Sequence, residues 1–179
     1  MAYSNKDQER QDLLRFLSAR RSATGEELIL LIDHEAPDFI CERANKSLVG
    51  VEHTRIEYDP EQTELRRAYD EYDGDIDNFA IMWAAFIRLA EKETKRRKPH
   101  WKLPNATILV FDLAEGYRFE SWPEDDRLSV DYSDSGFIEV WISDHSSIEA
   151  YGEVTAIGLY PKSIWGIRGQ DYLWGIPYK

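Results

Sequence analysis

Apolar positions change period several times along the chain, and each change predicts an element. Residues 5 to 22 place Leu13, Leu14, Phe16 and Leu17 among charged neighbours, which predicts an amphipathic helix capped by Ser4 or Asn5 and closed before Gly25. From Leu28 to Ile56 the pattern is short and β-rich, broken at Pro37 and again around residues 43 to 47; this predicts strand, bend, strand, turn, strand. Residues 61 to 74 are polar and helical up to Gly74. A more apolar helix follows from about Ile76 to Arg97, with Phe79, Met82, Trp83, Phe86, Ile87 and Ala90 at spacings of three and four. The run Thr107 to Asp112 is continuously apolar and β-branched until its last residue, as suits a central strand covered on both faces. Glu115 to Ser135 predicts an irregular excursion. Two further strands are expected at Phe137 to Ile142 and Val154 to Tyr160.

Together these elements predict an α/β fold with a central mixed β-sheet flanked by helices. With 179 residues, a single domain with an aromatic-rich C-terminal tail, about 163 to 179, is the expected organisation. A hydrophobic fraction of 42% supplies enough apolar chain for a core, even with 31% charged residues. The sequence contains no apolar run of the roughly 20 residues that cross a bilayer, and the N-terminus lacks a signal-peptide core, so a cytoplasmic protein without a membrane partner is expected. The single cysteine, Cys41, has no partner for an internal disulfide and is expected to pack as a small apolar residue near Phe39.

Charge narrows the function classes. A net charge of −12 repels polyanions at long range, so nucleic-acid binding would need a local basic patch or a metal ion. One basic run exists, Lys92, Lys95, Arg96, Arg97 and Lys98; it reads either as a nucleic-acid contact or as the cationic close of a long helix at its dipole-negative end. The tail offers a different surface. Trp165, Trp174 and several tyrosines are costly to leave in water, so the tail either seals a sheet edge or serves as a platform for a protein partner or unpaired bases.

The candidate chemistry centres on two carboxylates. Pro37, which lacks an N–H, suits the edge or first residue of a strand and places Asp38 just inside its start. Glu52 falls on the next strand, so Asp38 and Glu52 sit near facing ends of a hairpin, an arrangement with which hydrolases hold a divalent metal. Strand alternation groups Glu52 with Gly50 and Thr54, and sets Val51, His53 and Arg55 on the other face. The four histidines, His34, His53, His100 and His145, lack zinc-site spacings. His34 and His53 lie on adjacent predicted strands near the carboxylates, where a histidine serves either as a general base or as a hydrogen-bonded edge residue. Asp73 to Asp77 has the composition of a calcium loop without its spacing, and reads as a helix break with an N-cap.

Pro37-Asp38, followed after a hairpin-sized gap by Glu52-His53-Thr54, resembles the core of PD-(D/E)XK nuclease-like domains over roughly residues 5 to 115. The resemblance implies a restriction-endonuclease-like fold and metal-dependent phosphodiester hydrolysis on nucleic acid, with Mg²⁺ or Mn²⁺ held by Asp38 and Glu52. It also implies that Glu9 on the first helix supports the site. The family pattern carries lysine where this chain has Thr54; a hydroxyl orients water but supplies no positive charge. The cation would then come from Arg55, Arg20 or the Lys92 to Lys98 run, and strand alternation counts against Arg55. Two alternatives keep the fold without catalysis: a regulatory module that binds a protein through the aromatic tail, and an acidic mimic of nucleic acid.

Overall fold

The computed structural model describes residues 5–56, 76–113, 132–145, 148, 153–164 and 168–169. The helix expected over 61 to 74, the Asp73 to Asp75 segment, most of the Glu115 to Ser135 excursion and most of the aromatic tail lie outside the described residues.

Helix α1 spans Asn5–Thr24, with Asp7 in its first turn and Arg21 in its last, both complementing the helix dipole. It ends where expected. Gly25 takes a left-handed φ of 72° and its N–H reaches the Arg21 carbonyl at 2.8 Å, closing the last turn. Three strands follow: β1 at Leu28–Asp33, β2 at Phe39–Arg43 and β3 at Leu48–Ile56. The β2–β3 turn is held by Asn45, whose side-chain oxygen accepts the Ser47 N–H at 3.0 Å.

Helix α2, Ile76–Arg96, carries the chain to β4 at Thr107–Leu113, which lies parallel to β3. Strand β5, Glu139–Asp144, is again parallel; β6, Thr155–Tyr160, and the two-residue β7, Arg168–Gly169, return antiparallel. The seven strands lie in chain order from β1 to β7, so β4 is central, and every residue in it is buried. This is the mixed central sheet of an α/β fold.

Alternation along the strands sorts the core into two layers. Leu13, Phe16 and Leu17 of α1 pack with Phe39, Cys41, Val49, Val51, Ile108, Val110 and Trp141 on one face. Ala85 and Leu89 of α2 pack with Ile56, Leu109, Phe111, Val140 and Ile142 on the other. Cys41 is fully buried beside Phe39 as expected, and burial pushes its thiol pKa up to about 12, against a smaller opposing effect of Arg20.

Two details depart from expectation. Strand β5 begins at Glu139 rather than Phe137, because a 3-10 turn at Ser133–Ser135 and a left-handed Gly136 carry Phe137 beneath the Arg96 guanidinium, 5.6 Å from its ring. Of the stripe expected on α2, Phe79, Met82 and Trp83 lie outside the described side chains; Phe86, Ile87 and Ala90 are exposed, and from residue 85 onward the sheet-facing positions are instead Ala85, Leu89, Lys92 and Arg96. The reason is polar: Lys92 and Arg96 both have partners on the sheet side, and those partners fix the rotation of the last turns.

Candidate active site

The site forms where the loop before β2 crosses the middle of β3. Gly50 makes the crossing fit, since a Cβ there would lie 2.5 Å from Pro37 Cγ and 2.9 Å from Thr107 Oγ1. Pro37 therefore lies directly on β3, and the next residue, Asp38, comes opposite Glu52, one step beyond the paired Phe39 and Val51. Asp38 bonds to Glu52 through its backbone and to His53 through its side chain. The Asp38 N–H donates to Glu52 Oε2 at 3.1 Å, and Asp38 Oδ2 accepts the His53 N–H at 2.9 Å.

A cation completes the group. The Lys92 ammonium of α2 donates to Glu52 Oε1 and also to the His53 carbonyl at 3.3 Å. Glu52 is buried while Asp38 is half-buried, so the site opens on the Asp38 side. Burial first, and then the neighbouring Asp38 charge, hold the Glu52 carboxyl above its ordinary pKa of 4.5 despite the opposing pull of Lys92. A buried carboxylate held beside a second one makes a place where an added cation is favourable.

Magnesium uses hard oxygen donors, commonly one or two carboxylates completed by water and substrate phosphate. Asp38 and Glu52 fit that requirement. Among the described residues no group of three or more His, Cys, Asp or Glu side chains is placed to hold a metal ion.

The remaining sequence candidates separate. Thr54 is buried two residues beyond Glu52, opposite Phe111 of β4. Glu9 is half-exposed on α1 and pairs with Lys6 at 3.7 Å. Arg20 belongs to the α1 face, where it is 1% exposed and grips Glu139 through two bonds of 2.9 and 2.7 Å. Arg55 is exposed. The basic run is not one patch: Lys92 turns inward to Glu52, Arg96 is buried against the Pro104 and Ser135 carbonyls, and Lys95, Arg97 and Lys98 face solvent.

His53 points away from the carboxylates beside it. Its ring is buried on the α1 face, edge-on to Phe16 and Phe39, with Nδ1 2.7 Å from Asp112 Oδ2. His145 Nε2 approaches the other Asp112 oxygen at 3.4 Å and Ser143 Oγ at 3.3 Å, while its Nδ1 lies 3.9 Å from Asp12. This network is enclosed and serves to hold the sheet. His34 lies elsewhere, its Nδ1 accepting the Ala36 N–H at 3.1 Å beside a hollow of about 350 Å³ that His100 also lines.

Asp12, Asp112 and His145 belong to no motif in the sequence. The available signal was Asp112 at the end of a wholly apolar strand, where an unpartnered carboxylate would be untenable. For Lys92 the signal was its spacing from Ala85 and Leu89, which puts it on the buried stripe. Comparison of the chain with protein-family models, with curated proteins and with solved structures finds no match.

Proposed function

We propose that the protein is a metal-dependent phosphodiester hydrolase acting on nucleic acid, with Asp38 and Glu52 as the Mg²⁺ or Mn²⁺ ligands. The observation that carries this reading is the delivery of Lys92 from α2 onto Glu52, which brings a cation to the carboxylate pair although position 54 is threonine. The resemblance of Pro37-Asp38 and Glu52-His53-Thr54 to PD-(D/E)XK nuclease-like domains supports it.

A bound divalent ion supplies a water of lowered pKa and polarises the phosphate. The chain does the rest. Asp38 is oriented by the His53 N–H and Glu52 by the Asp38 N–H, so the backbone sets the separation of the two carboxylates. Lys92 neutralises Glu52 in the cation-free protein and provides the positive charge that stabilises the developing phosphorane. Thr54 acts as a supporting residue, whereas Glu9, paired with Lys6 on α1, stands apart from the carboxylate pair. Nucleic acid approaches past the exposed Lys95, Arg97 and Lys98, whose phosphate contacts weaken with salt, while salt also screens the repulsion of a chain with net charge −12.

The test is calorimetric titration of Mg²⁺ and Mn²⁺ alongside cleavage of single- and double-stranded DNA and RNA. Wild type should bind metal and cleave. Asp38→Ala should lose both, whereas Lys92→Met should keep metal binding and lose cleavage by about 10²-fold or more. Wild type that binds no metal and cleaves no substrate refutes the hydrolase.

One observation favours a second reading. Both Glu52 oxygens already have partners, Lys92 and the Asp38 N–H, which is also the arrangement of a site closed by its own ion pair. On that reading the domain is a catalytically inactive protein-binding module, or an acidic mimic of nucleic acid, and the same titration returns no metal response.

A further inference from the structure

We propose that the free edge of β1 is a self-association surface on which two copies of this chain pair antiparallel about a two-fold axis. The strand is the first of the seven, so its outer row of backbone N–H and C=O groups has no strand partner among the described residues. Edge strands of stable monomers are commonly guarded by a charge or a proline in mid-strand. Here the strand reads Leu28-Ile29-Leu30-Leu31-Ile32-Asp33, and Ile29, Leu31 and Ile32 are each about half exposed.

The register makes this edge self-complementary. Ile29 pairs with Glu42 and Leu30 with Cys41; Leu31 is then skipped, and Ile32 pairs with Ile40. The irregularity at Leu31 therefore returns Ile29 and Ile32 to the same face of the sheet. Antiparallel pairing centred between Leu30 and Leu31 sets Ile29 of one copy opposite Ile32 of the other, twice, by symmetry. Leu48, also exposed, lies in the same row as Ile29 through Glu42 and widens the apolar band.

Charge points to a second copy as the occupant. One end of β1 carries the exposed pair Arg21–Glu27 at 2.8 Å, and the other end carries Arg10–Asp33 at 3.1 Å. Antiparallel pairing brings unlike ends together, so Arg21 of one copy faces Asp33 of the other and Arg10 faces Glu27. These four side chains sum to zero in a chain of net charge −12, so this is a face on which two acidic molecules can meet. Leu14 of α1, half exposed beside a groove of about 440 Å³ between α1 and β1, adds apolar surface next to the strand. The inference is independent of the hydrolase reading.

Sedimentation equilibrium of the full chain, from low to high micromolar concentration, tests it. Wild type should show a monomer–dimer equilibrium, and Ile29→Lys should be monomeric. Arg21→Glu should weaken the dimer roughly three- to tenfold, counting its two symmetry-related contacts together. Adding Asp33→Arg to Arg21→Glu should restore it. Circular dichroism checks that the variants are folded; should Ile29→Lys fail to fold, the charge reversal and its rescue decide alone. Wild type that stays monomeric throughout, even if the edge captures a different protein, overturns the proposal. So does a dimer indifferent to Ile29→Lys, or a charge swap that fails to rescue.

Discussion

Asp112→Asn removes one charge from the enclosed network behind β3 and keeps its shape. Burial alone would raise the Asp112 pKa, but His53 and His145 together outweigh it and hold the carboxyl down to about 2, against an ordinary 3.8. A gap of nearly two pH units in an enclosed group corresponds to a stabilisation on the order of 2 kcal/mol. As pH falls the unfolded chain takes up the proton first, so this contribution is complete above 3.8 and is lost on the way down to about 2. His53 behaves in the opposite sense. Burial lowers its pKa, yet the Asp112 charge and hydrogen bond, aided by Asp38 and Asp12, raise it overall. Its contribution is complete below the ordinary 6.5 and is lost as pH rises through the folded value. The pair is therefore most stabilising between about pH 4 and 6.5. Urea unfolding of wild type and Asp112→Asn in steps from about pH 3 to 8 measures the difference directly. It should plateau near pH 5 at about 2 kcal/mol or more and narrow toward both ends. A difference that is flat with pH would refute the electrostatic account and leave Asp112 as a packing residue.

Three further substitutions probe what holds the site's scaffold. Arg20→Met strands Glu139, which keeps the Trp141 indole N–H at 2.7 Å and Arg43 at 3.8 Å; a loss of about 3–5 kcal/mol is expected in denaturant unfolding. Adding Glu139→Gln should recover part of that loss, while the Glu26 end of the network, 34% exposed, contributes little. Gly50→Ala forces a methyl into Pro37 and should cost about 1–3 kcal/mol. It should also loosen Asp38, seen as faster hydrogen exchange at the His53 amide; unchanged exchange would show that Pro37 does not position Asp38.

Much of the fold was legible because its signals are local. Gly25 marks the end of α1, Pro37 and the residues around Asn45 mark the breaks between strands, and the Thr107 to Asp112 run is long enough and apolar enough to be central. The Asp38–Glu52 proximity followed from hairpin spacing and alternation, both short-range rules. What was hidden depended on rotation and on distant partners. The facing side of α2 is set by Lys92 meeting Glu52, 40 residues away in sequence, and by Arg96 meeting Ser135, 39 residues away. Hydrophobic periodicity gives no weight to a half-buried lysine. It favoured Phe86 and Ile87, which are exposed. Asp12 and His145 were hidden for the same reason, since their partners lie on elements far apart in the chain.

The division of labour along β3 follows from the two-residue period of a strand. Glu52 and His53 are adjacent in sequence but lie on opposite faces, so proximity to a carboxylate in the sequence does not make His53 its general base. The backbone between them serves both faces: His53 donates its N–H to Asp38 and its carbonyl accepts from Lys92, while its ring anchors the strand to Asp112 and to Phe16 of α1. With threonine at position 54, the cation on the Glu52 face comes from that face's helix, and lysine suits the task because a four-carbon stem lets an ammonium reach a strand from a helix backbone. On this sheet α2 supplies a positive charge beside Glu52 where β3 offers only the Thr54 hydroxyl.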